Sequence, residues 1–213
     1  MNMAIDEALL GVIETPVLRV YRWERAAVSF GYFEPWEPIR QKHPGRDPVR
    51  RWTGGGVVLH GEDFTYSLLI PRKIDAGAPG ESYRVIHGAL CRALGEMGLA
   101  AEPAGSSAAK RSQACFENPV LHDVLVEGRK VAGAAQRRTR TGLLHQGSIQ
   151  TLELPPGFAA RFASHLAGTV RPQFFGITTA AEKLAAGKYA RAGWLEKQRQ
   201  SVLAADFDPE GSI

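Results

Sequence analysis

Cysteine is scarce in this chain of 213 residues, which carries only Cys91 and Cys115. Two thiols build no disulfide framework, and their default setting is a reducing cytosol in which both stay free. No apolar run approaches the roughly 18 residues that a membrane-spanning helix needs, so no membrane partner is expected. There is no internal repeat and no low-complexity block. The opening Met1-Asn2-Met3-Ala4-Ile5-Asp6-Glu7 lacks the basic residues of a signal peptide and carries acids instead, so a cytoplasmic protein is expected. A large charge excess is missing too. The net charge of +4 suits an acidic partner without requiring nucleic acid.

What is present is an ordinary globular balance, 44% hydrophobic and 23% charged, on a chain long enough to bury a core. Ala4 to Leu10 reads as a helix with Ile5, Leu9 and Leu10 inward. Alternation then predicts strands over Pro16–Trp23 and Ala27–Phe33, with Pro35 and Pro38 bracketing a turn and a loop from His43 to Pro48. Phe64–Ile70 is a further strand, stopped by Pro71. From Gly80 to Gly98 the period becomes helical, with Tyr83, Ile86, His87, Leu90, Leu94 and Met97 on one face. His87 and Cys91 lie one turn apart there, a spacing that can ligate metal but that a packed core pair explains better. Leu121–Val126 and Lys130–Ala135 meet at Glu127-Gly128-Arg129 as a hairpin, and Leu143–Leu152 is another strand. Beyond Pro155 the chain turns helical, over Phe158–Leu166, Thr179–Leu184 and Arg191–Leu203. Strands first and helices after predict an α+β fold with a mixed, largely antiparallel sheet and flanking helices. One domain over residues 1–213 is expected, its motifs within 2–152 and a helical part over 155–205.

The chain is organised around Arg50-Arg51-Trp52-Thr53-Gly54-Gly55-Gly56-Val57-Val58-Leu59-His60. Three adjacent glycines cost backbone entropy, so they belong where bare main chain is useful. One use is a tight β-hairpin turn. The other lets a ligand lie on main-chain N–H groups, with arginine nearby to hold an anion. Cys115 sits in Gln113-Ala114-Cys115-Phe116-Glu117-Asn118-Pro119, and Lys130 follows across the hairpin approach. An ammonium near a thiol favours the thiolate, the nucleophilic form. Taken alone, Cys115 also reads as a buried structural thiol and Lys130 as a solvated surface lysine. His145, in Gly142-Leu143-Leu144-His145-Gln146-Gly147-Ser148-Ile149, could orient or protonate a reacting group or be a satisfied strand histidine. The run Gln136-Arg137-Arg138-Thr139-Arg140 has no aromatic interleaving. It therefore suits docking to an acidic protein at least as well as nucleic acid.

Arg-Arg-x-Thr-Gly-Gly-Gly-x-Val-x-His, then Gly-Arg-Lys-Val-Ala-Gly-Ala-Ala-Gln-Arg-Arg, then Leu-His-Gln-Gly-Ser-Ile, in that order and spacing, resemble the biotin/lipoate protein ligase and octanoyltransferase superfamily. Asn2 to Leu9 resembles its N-terminal helix motif, and the match runs to about Leu152. The resemblance implies a fold like the catalytic domain of class II biotin synthetases. It implies a substrate made of a medium-chain acyl group and a lysine on a lipoyl carrier, either the glycine cleavage H protein or a 2-oxoacid dehydrogenase lipoyl domain. It implies substrate contacts by Arg51, Thr53, Gly54, Gly55, Gly56 and His60, by Gly133 and Ala135, and by His145 and Gly147.

Two branches of that superfamily fit. Lipoate–protein ligases activate lipoate with ATP and Mg as an acyl-adenylate and need no cysteine. Cysteine-dependent octanoyltransferases need no cofactor. They take octanoate from acyl carrier protein, hold it on a cysteine and pass it to the acceptor lysine. Cys115-Phe116 stands where the second branch has its cysteine, with Lys130 as the catalytic lysine. His60 followed by Glu62-Asp63-Phe64-Thr65-Tyr66-Ser67 also resembles that branch. Gly56 departs from it, since octanoyltransferases often carry arginine there, whereas the chain ends without the further domain many ligases use. The transferase is the preferred reading. A third, an inactive acyl- or lipoyl-binding protein, sits poorly with Cys115, Lys130 and His145 occurring together.

Overall fold

Two β-sheets face each other, with two helices, Pro79–Gly95 and Phe158–Leu166, packed on the far side of the larger one. The computed structural model describes residues 1–106 and 120–196. Cys115 and the chain beyond Glu196 lie outside the described residues. In chain order the elements are α1 (Asn2–Leu10), β1 (Val17–Tyr21), β2 (Ala27–Phe30), α2 (Trp36–Lys42), β3 (Asp47–Arg50), β4 (Val57–His60), β5 (Phe64–Pro71) and α3 (Pro79–Gly95). They continue with β6 (Ala101–Pro103), β7 (Val124–Val126), β8 (Arg129–Arg138), β9 (Gly142–Ile149), α4 (Phe158–Leu166), α5 (Thr178–Leu184), a π-helical turn (Ala185–Tyr189) and α6 (Ala192–Leu195).

The larger sheet has the order β1-β5-β9-β8-β7-β6, and every pairing in it is antiparallel. The smaller sheet has the order β3-β2-β4, with β2 parallel to β3 and antiparallel to β4. The α+β expectation with a mixed, largely antiparallel sheet therefore holds. Among the described residues no helix is long and apolar enough to cross a membrane.

Alternation along the central strands sends successive side chains to opposite faces. Tyr66 and Leu68 of β5, Ala132 of β8 and Ile149 of β9 join Ile86, Leu90 and Leu94 of α3 and Phe158 and Phe162 of α4 in the main core. Burying each of these large side chains contributes roughly 2 kcal/mol, which makes the helical face the structural anchor. The other face, carrying Thr65, Ser67, Gln146 and Ser148, is polar yet buried. It lies toward the smaller sheet.

Three local readings change. The hairpin reading of the glycines fails, because β3 and β4 are not neighbours: β2 lies between them. The Pro35–Pro38 turn is the start of α2, with Pro35 at the N-cap. Pro38 falls in the first turn, where a missing N–H costs no helical hydrogen bond. The His43–Pro48 loop is shorter than expected, since Asp47 already pairs with Ala27. The Glu127-Gly128 turn is as predicted, both residues having positive φ (51° and 73°), as a two-residue hairpin requires.

Candidate active site

Between the two sheets lies a cleft bounded by Met3, Tyr21, Trp23, Val58, the glycine turn and the polar face of β8 and β9, with about 450 Å³ of empty volume including its mouth. Of the residues singled out from sequence, Arg51, Gly55, His60, Gly133, Ala135 and Gly147 line it. Gly55 has φ +84°, and a Cβ on it would meet Ala135 at 3.3 Å. The turn comes this close to the larger sheet because its main chain is bare. Gly31 matters equally, since a Cβ there would stand 1.9 Å from the Gly55 carbonyl oxygen. Strand β2 must end in glycine for the turn to fold over it.

Arg51 is turned inward. Its Nη2 donates to the carbonyls of Gly54 (3.0 Å) and Gly56 (2.8 Å), and its Nη1 donates to Ser29 Oγ (2.8 Å). Thr53 is fully buried and donates to Gln146 Oε1 at 2.9 Å. Gln146 Nε2 in turn donates to Asp6 Oδ2 at 2.7 Å. Asp6 also accepts from Ser67 (2.6 Å) and pairs with Arg19 (2.9 Å). Burial pushes its carboxyl pKa up, against the pull of Arg19. Helix α1 is thus tied to β5, β9 and the glycine turn through one buried acid.

His60 occupies a second network, and its donors run in one direction. Nδ1 lies 2.8 Å from Asp63 Oδ2, an oxygen that also accepts from Thr65 Oγ1 (2.8 Å) and Ser148 Oγ (2.7 Å). A carboxylate only accepts, so Nδ1 carries the proton and Nε2 is the acceptor. Ser29 Oγ, 2.6 Å from Nε2, then donates to it while accepting from Arg51. Trp23 stacks on the imidazole at 4.2 Å and donates through Nε1 to Thr65 at 2.8 Å. Burial lowers the His60 pKa, partly opposed by Asp63, and the hydrogen bonds hold Asp63 down at about 2. The polar atoms bond one another, so the cleft meets a ligand with ring faces and methylenes.

Lys130 is buried, not solvated. Its Nζ lies 2.7 Å from Asp123 Oδ2, with only 2% and 3% of the two side chains exposed. Leu125 pairs with Lys130 but Val124 pairs with Ala132, so Val131 is an extra residue on β8. This bulge lets Val131 and Ala132 both face the core and brings Lys130 to the same side as Gly133. A Cβ on Gly133 would stand 2.8 Å from Lys130 Cε and 3.1 Å from Asp123 Oδ1. Gly133 therefore makes room for the ion pair at that end of the cleft. Asp123 also accepts from the Val120 N–H at 2.7 Å.

His145 is not in the cleft. It projects from the opposite face of β9, under α3, where Gln136 Nε2 donates to its Nδ1 at 2.9 Å and Tyr66 and His87 pack on its ring. Burial holds its pKa well below the ordinary value. The backbone of Gly147 borders the cleft, but its missing Cβ makes space for the Tyr66 ring, which would lie 2.3 Å away. His87 and Cys91 are both buried under α3, and His87 Nδ1 donates to the His122 carbonyl at 2.5 Å. Burial pushes the Cys91 thiol up to about 11, far from a nucleophilic thiolate.

Arg50 serves the C-terminal segment. Its Nε and Nη2 donate to the Leu195 carbonyl at 3.0 and 2.8 Å, and Trp194 Nε1 donates to the Arg50 carbonyl at 3.1 Å. Lys188 lies over Trp52 and Trp194 and pairs with Glu7 at 2.6 Å. The segment after α5 therefore clamps the approach to the glycine turn from outside. Sequence reasoning passed over Ser29, Gly31, Asp63 and Asp123. A glycine closing a strand and an acid three residues after a motif histidine were the available signals for Gly31 and Asp63.

Residues 1–151 match the model of the lipoyl protein ligase A/B catalytic domain. Octanoyltransferase LipM of Kyrpidia tusciae is 39% identical over 176 residues, covering 73% of this chain and 62% of that protein. Octanoyltransferase LipM of Bacillus subtilis is 37% identical over 168 residues, covering 70% and 60%. The chain thus spans about 60% of the length of these curated relatives. Among solved structures, the bipartite lipoate protein ligase of Thermoplasma acidophilum, determined with its E2 lipoyl domain, has a TM-score of 0.74 at 20% identity, covering 95% of this chain and 93% of that one. Lipoate-protein ligase A bound with ATP has a TM-score of 0.72 at 19% identity, covering 91% and 92%, a likeness of fold. By the match over its first 151 residues, this chain belongs to the lipoyl protein ligase A/B catalytic domain family.

Proposed function

We propose that the chain is an acyltransferase of protein lipoylation, moving an octanoyl group from acyl carrier protein, through a thioester on Cys115, to a lysine of a lipoyl carrier protein. The Cys115 thiolate attacks the carrier thioester, its new C–S bond replaces the old one, and the carrier thiolate leaves. The neutral acceptor amine then attacks the Cys115 thioester, its new C–N bond replaces the C–S bond, and the released sulfur takes up the proton that the nitrogen gives up. The first step exchanges one thioester for another and the second runs downhill from thioester to amide, so neither ATP nor metal is needed. The buried Lys130–Asp123 pair packed against Gly133, which lines the apolar cleft, is the observation that carries this reading. A fixed ammonium there suits the stabilisation of a thiolate and of the oxyanion that forms on attack. Cys115 and Lys130 are the proposed catalytic residues. Arg51, Thr53, Gly54, Gly55, Gly56, His60, Gly133, Ala135 and the Gly147 backbone shape the acyl site, and His145 supports it from behind. The similarity to curated octanoyltransferases favours this over an ATP-dependent ligase. The acceptor is the glycine cleavage H protein or a 2-oxoacid dehydrogenase lipoyl domain.

Incubation with octanoyl-acyl carrier protein and, separately, with lipoate, ATP and Mg, followed by intact-mass analysis, tests the proposal. A gain of one octanoyl group is expected, lost in Cys115→Ser and kept in Cys91→Ser. ATP-dependent lipoylation of a carrier with Cys115 dispensable would instead make the chain a ligase. Binding of octanoate without either product would make it an acyl-binding protein.

A further inference from the structure

The cleft has two unlike ends. Tyr21, Thr65, Ser148 and Gly133 stand opposite one another across four adjacent strands. At about 4.8 Å per strand its floor therefore runs roughly 14 Å from Gly133 to Tyr21. Lys130 lies against Gly133. His60 lies toward the other end, stacked on Trp23, whose Nε1 is held by Thr65. An acyl group with its carbonyl at Lys130 directs its tail toward His60, Trp23 and Ser29. This step rests on the acyl-binding reading above.

Ser29 is 1% exposed and stands between an acceptor and a donor, His60 Nε2 at 2.6 Å and Arg51 Nη1 at 2.8 Å. Asp63 fixes the tautomer that makes Nε2 an acceptor, so a hydroxyl is the group that fits both neighbours. We propose that Ser29 determines the specificity for the acyl tail: its hydroxyl occupies this donor–acceptor pair, so the cleft accepts an unsubstituted alkyl end and rejects one ending in a hydroxyl. A polar tail buried against satisfied neighbours loses its water and gains no partner. Removing Oγ reverses the preference. The vacated point keeps one acceptor and one donor at hydrogen-bonding distance, the set that a terminal hydroxyl on the acyl chain can satisfy in its place.

The test compares octanoyl- and ω-hydroxyoctanoyl-acyl carrier protein as donors to the wild type and to Ser29→Ala, read as kcat/KM of thioester formation. Calorimetric binding of the two free acids gives a readout independent of chemistry. The wild type should favour octanoyl by about tenfold or more, and Ser29→Ala should narrow the ratio to about threefold or less by gaining on the hydroxylated chain. Ser29→Thr, which keeps the hydroxyl, should keep the wild-type ratio. Should alanine fail to fold, Ser29→Gly, which also removes Oγ, should narrow the ratio in the same way. A ratio in Ser29→Ala or Ser29→Gly equal to that of the wild type overturns the inference and leaves Ser29 a structural residue. If neither acid binds and neither donor loads the wild type, the acyl-binding reading itself has failed.

Discussion

His60 and His145 both come from glycine-containing motif blocks, and both are buried, yet His60 lies on the cleft side of the larger sheet and His145 on its helical side. His60 belongs to a network that contains a carboxylate, a guanidinium and two hydroxyls, and its ring helps to line the cleft. His145 belongs to a neutral cluster of Gln136, Tyr66, Tyr83 and His87 that packs against α3. The two faces divide the labour. Charges and directed hydrogen bonds are concentrated on the cleft face, whereas neutral rings and aliphatic side chains fill the helical face. A residue's letter in a motif does not say which face it serves; its parity along the strand does.

The largest way to break this contrast is to remove one partner of the Lys130–Asp123 pair. Asp123→Ala leaves a buried ammonium without its carboxylate, which should lower unfolding stability by about 3–5 kcal/mol. On the helical face, Gln136→Ala removes two neutral hydrogen bonds, to His145 and from Ser82, and should cost about 1–2 kcal/mol. Urea denaturation of both variants checks the difference. Equal losses would mean that the ion pair is no more consequential than a neutral contact.

Titration sharpens the comparison by a smaller amount. Burial lowers the pKa of His60, His87 and His145 in the folded state, and His145 is held furthest below its ordinary value of 6.5. For a base with a depressed folded pKa, the unfolded chain binds the proton first. Stability from these groups is therefore complete above about pH 6.5 and is lost as pH falls below it. Each group that stays neutral should contribute a slope of about 1.4 kcal/mol per pH unit. Asp63, held at about 2, adds a separate loss only between its ordinary 3.8 and that value. Denaturation from pH 7 to 5 should show a shallower acid slope in His145→Phe than in the wild type. His60→Phe should flatten only the part of the curve nearest pH 6.5, because Asp63 partly offsets the burial there. Identical slopes in all three proteins would show that the imidazoles are not neutral in the fold.

Much of the fold was legible because its signals are local. Alternation located β5 and β9, the helical period located α3 and α4, and the Glu127-Gly128 pair located the hairpin. The glycine turn could be recognised as a candidate site for the same reason, since three bare residues beside arginine have few uses. What was not legible depends on contacts distant in sequence. The hairpin reading of the turn failed because β2 inserts between β3 and β4, a pairing that neither strand's composition records. Lys130 looked solvated because a strand lysine usually is. The Val131 bulge and the bare Gly133 that bury it against Asp123 are visible only in register. Cys115 lies outside the described residues, so its role still rests on its place in the sequence and on the mass experiment.

The smallest effect concerns the basic run, which sequence reading offered as one docking patch. The strand divides it. Arg137 stacks on Trp52 and Tyr32 at 4.7 and 5.3 Å and donates to the Trp52 carbonyl at 3.1 Å. Arg138, on the opposite side of β8, donates to Ser82 Oγ of α3 at 3.0 Å, and Arg140 is exposed in the turn that follows. Only the last two would present charge to the acidic carrier of the proposed reaction. Arg138→Glu with Arg140→Glu should slow carrier association several-fold at low salt and flatten its salt dependence, with little change in turnover once the carrier is saturating. Arg137→Ala should behave differently. It removes packing beneath the glycine turn, so it should lower thermal stability and leave the salt dependence of association intact. Stopped-flow association at several ionic strengths, beside a melting curve for each variant, separates the two. If Arg137→Ala alone reproduces the loss of salt dependence, the docking surface lies on the Trp52 side of the strand rather than at its exposed end.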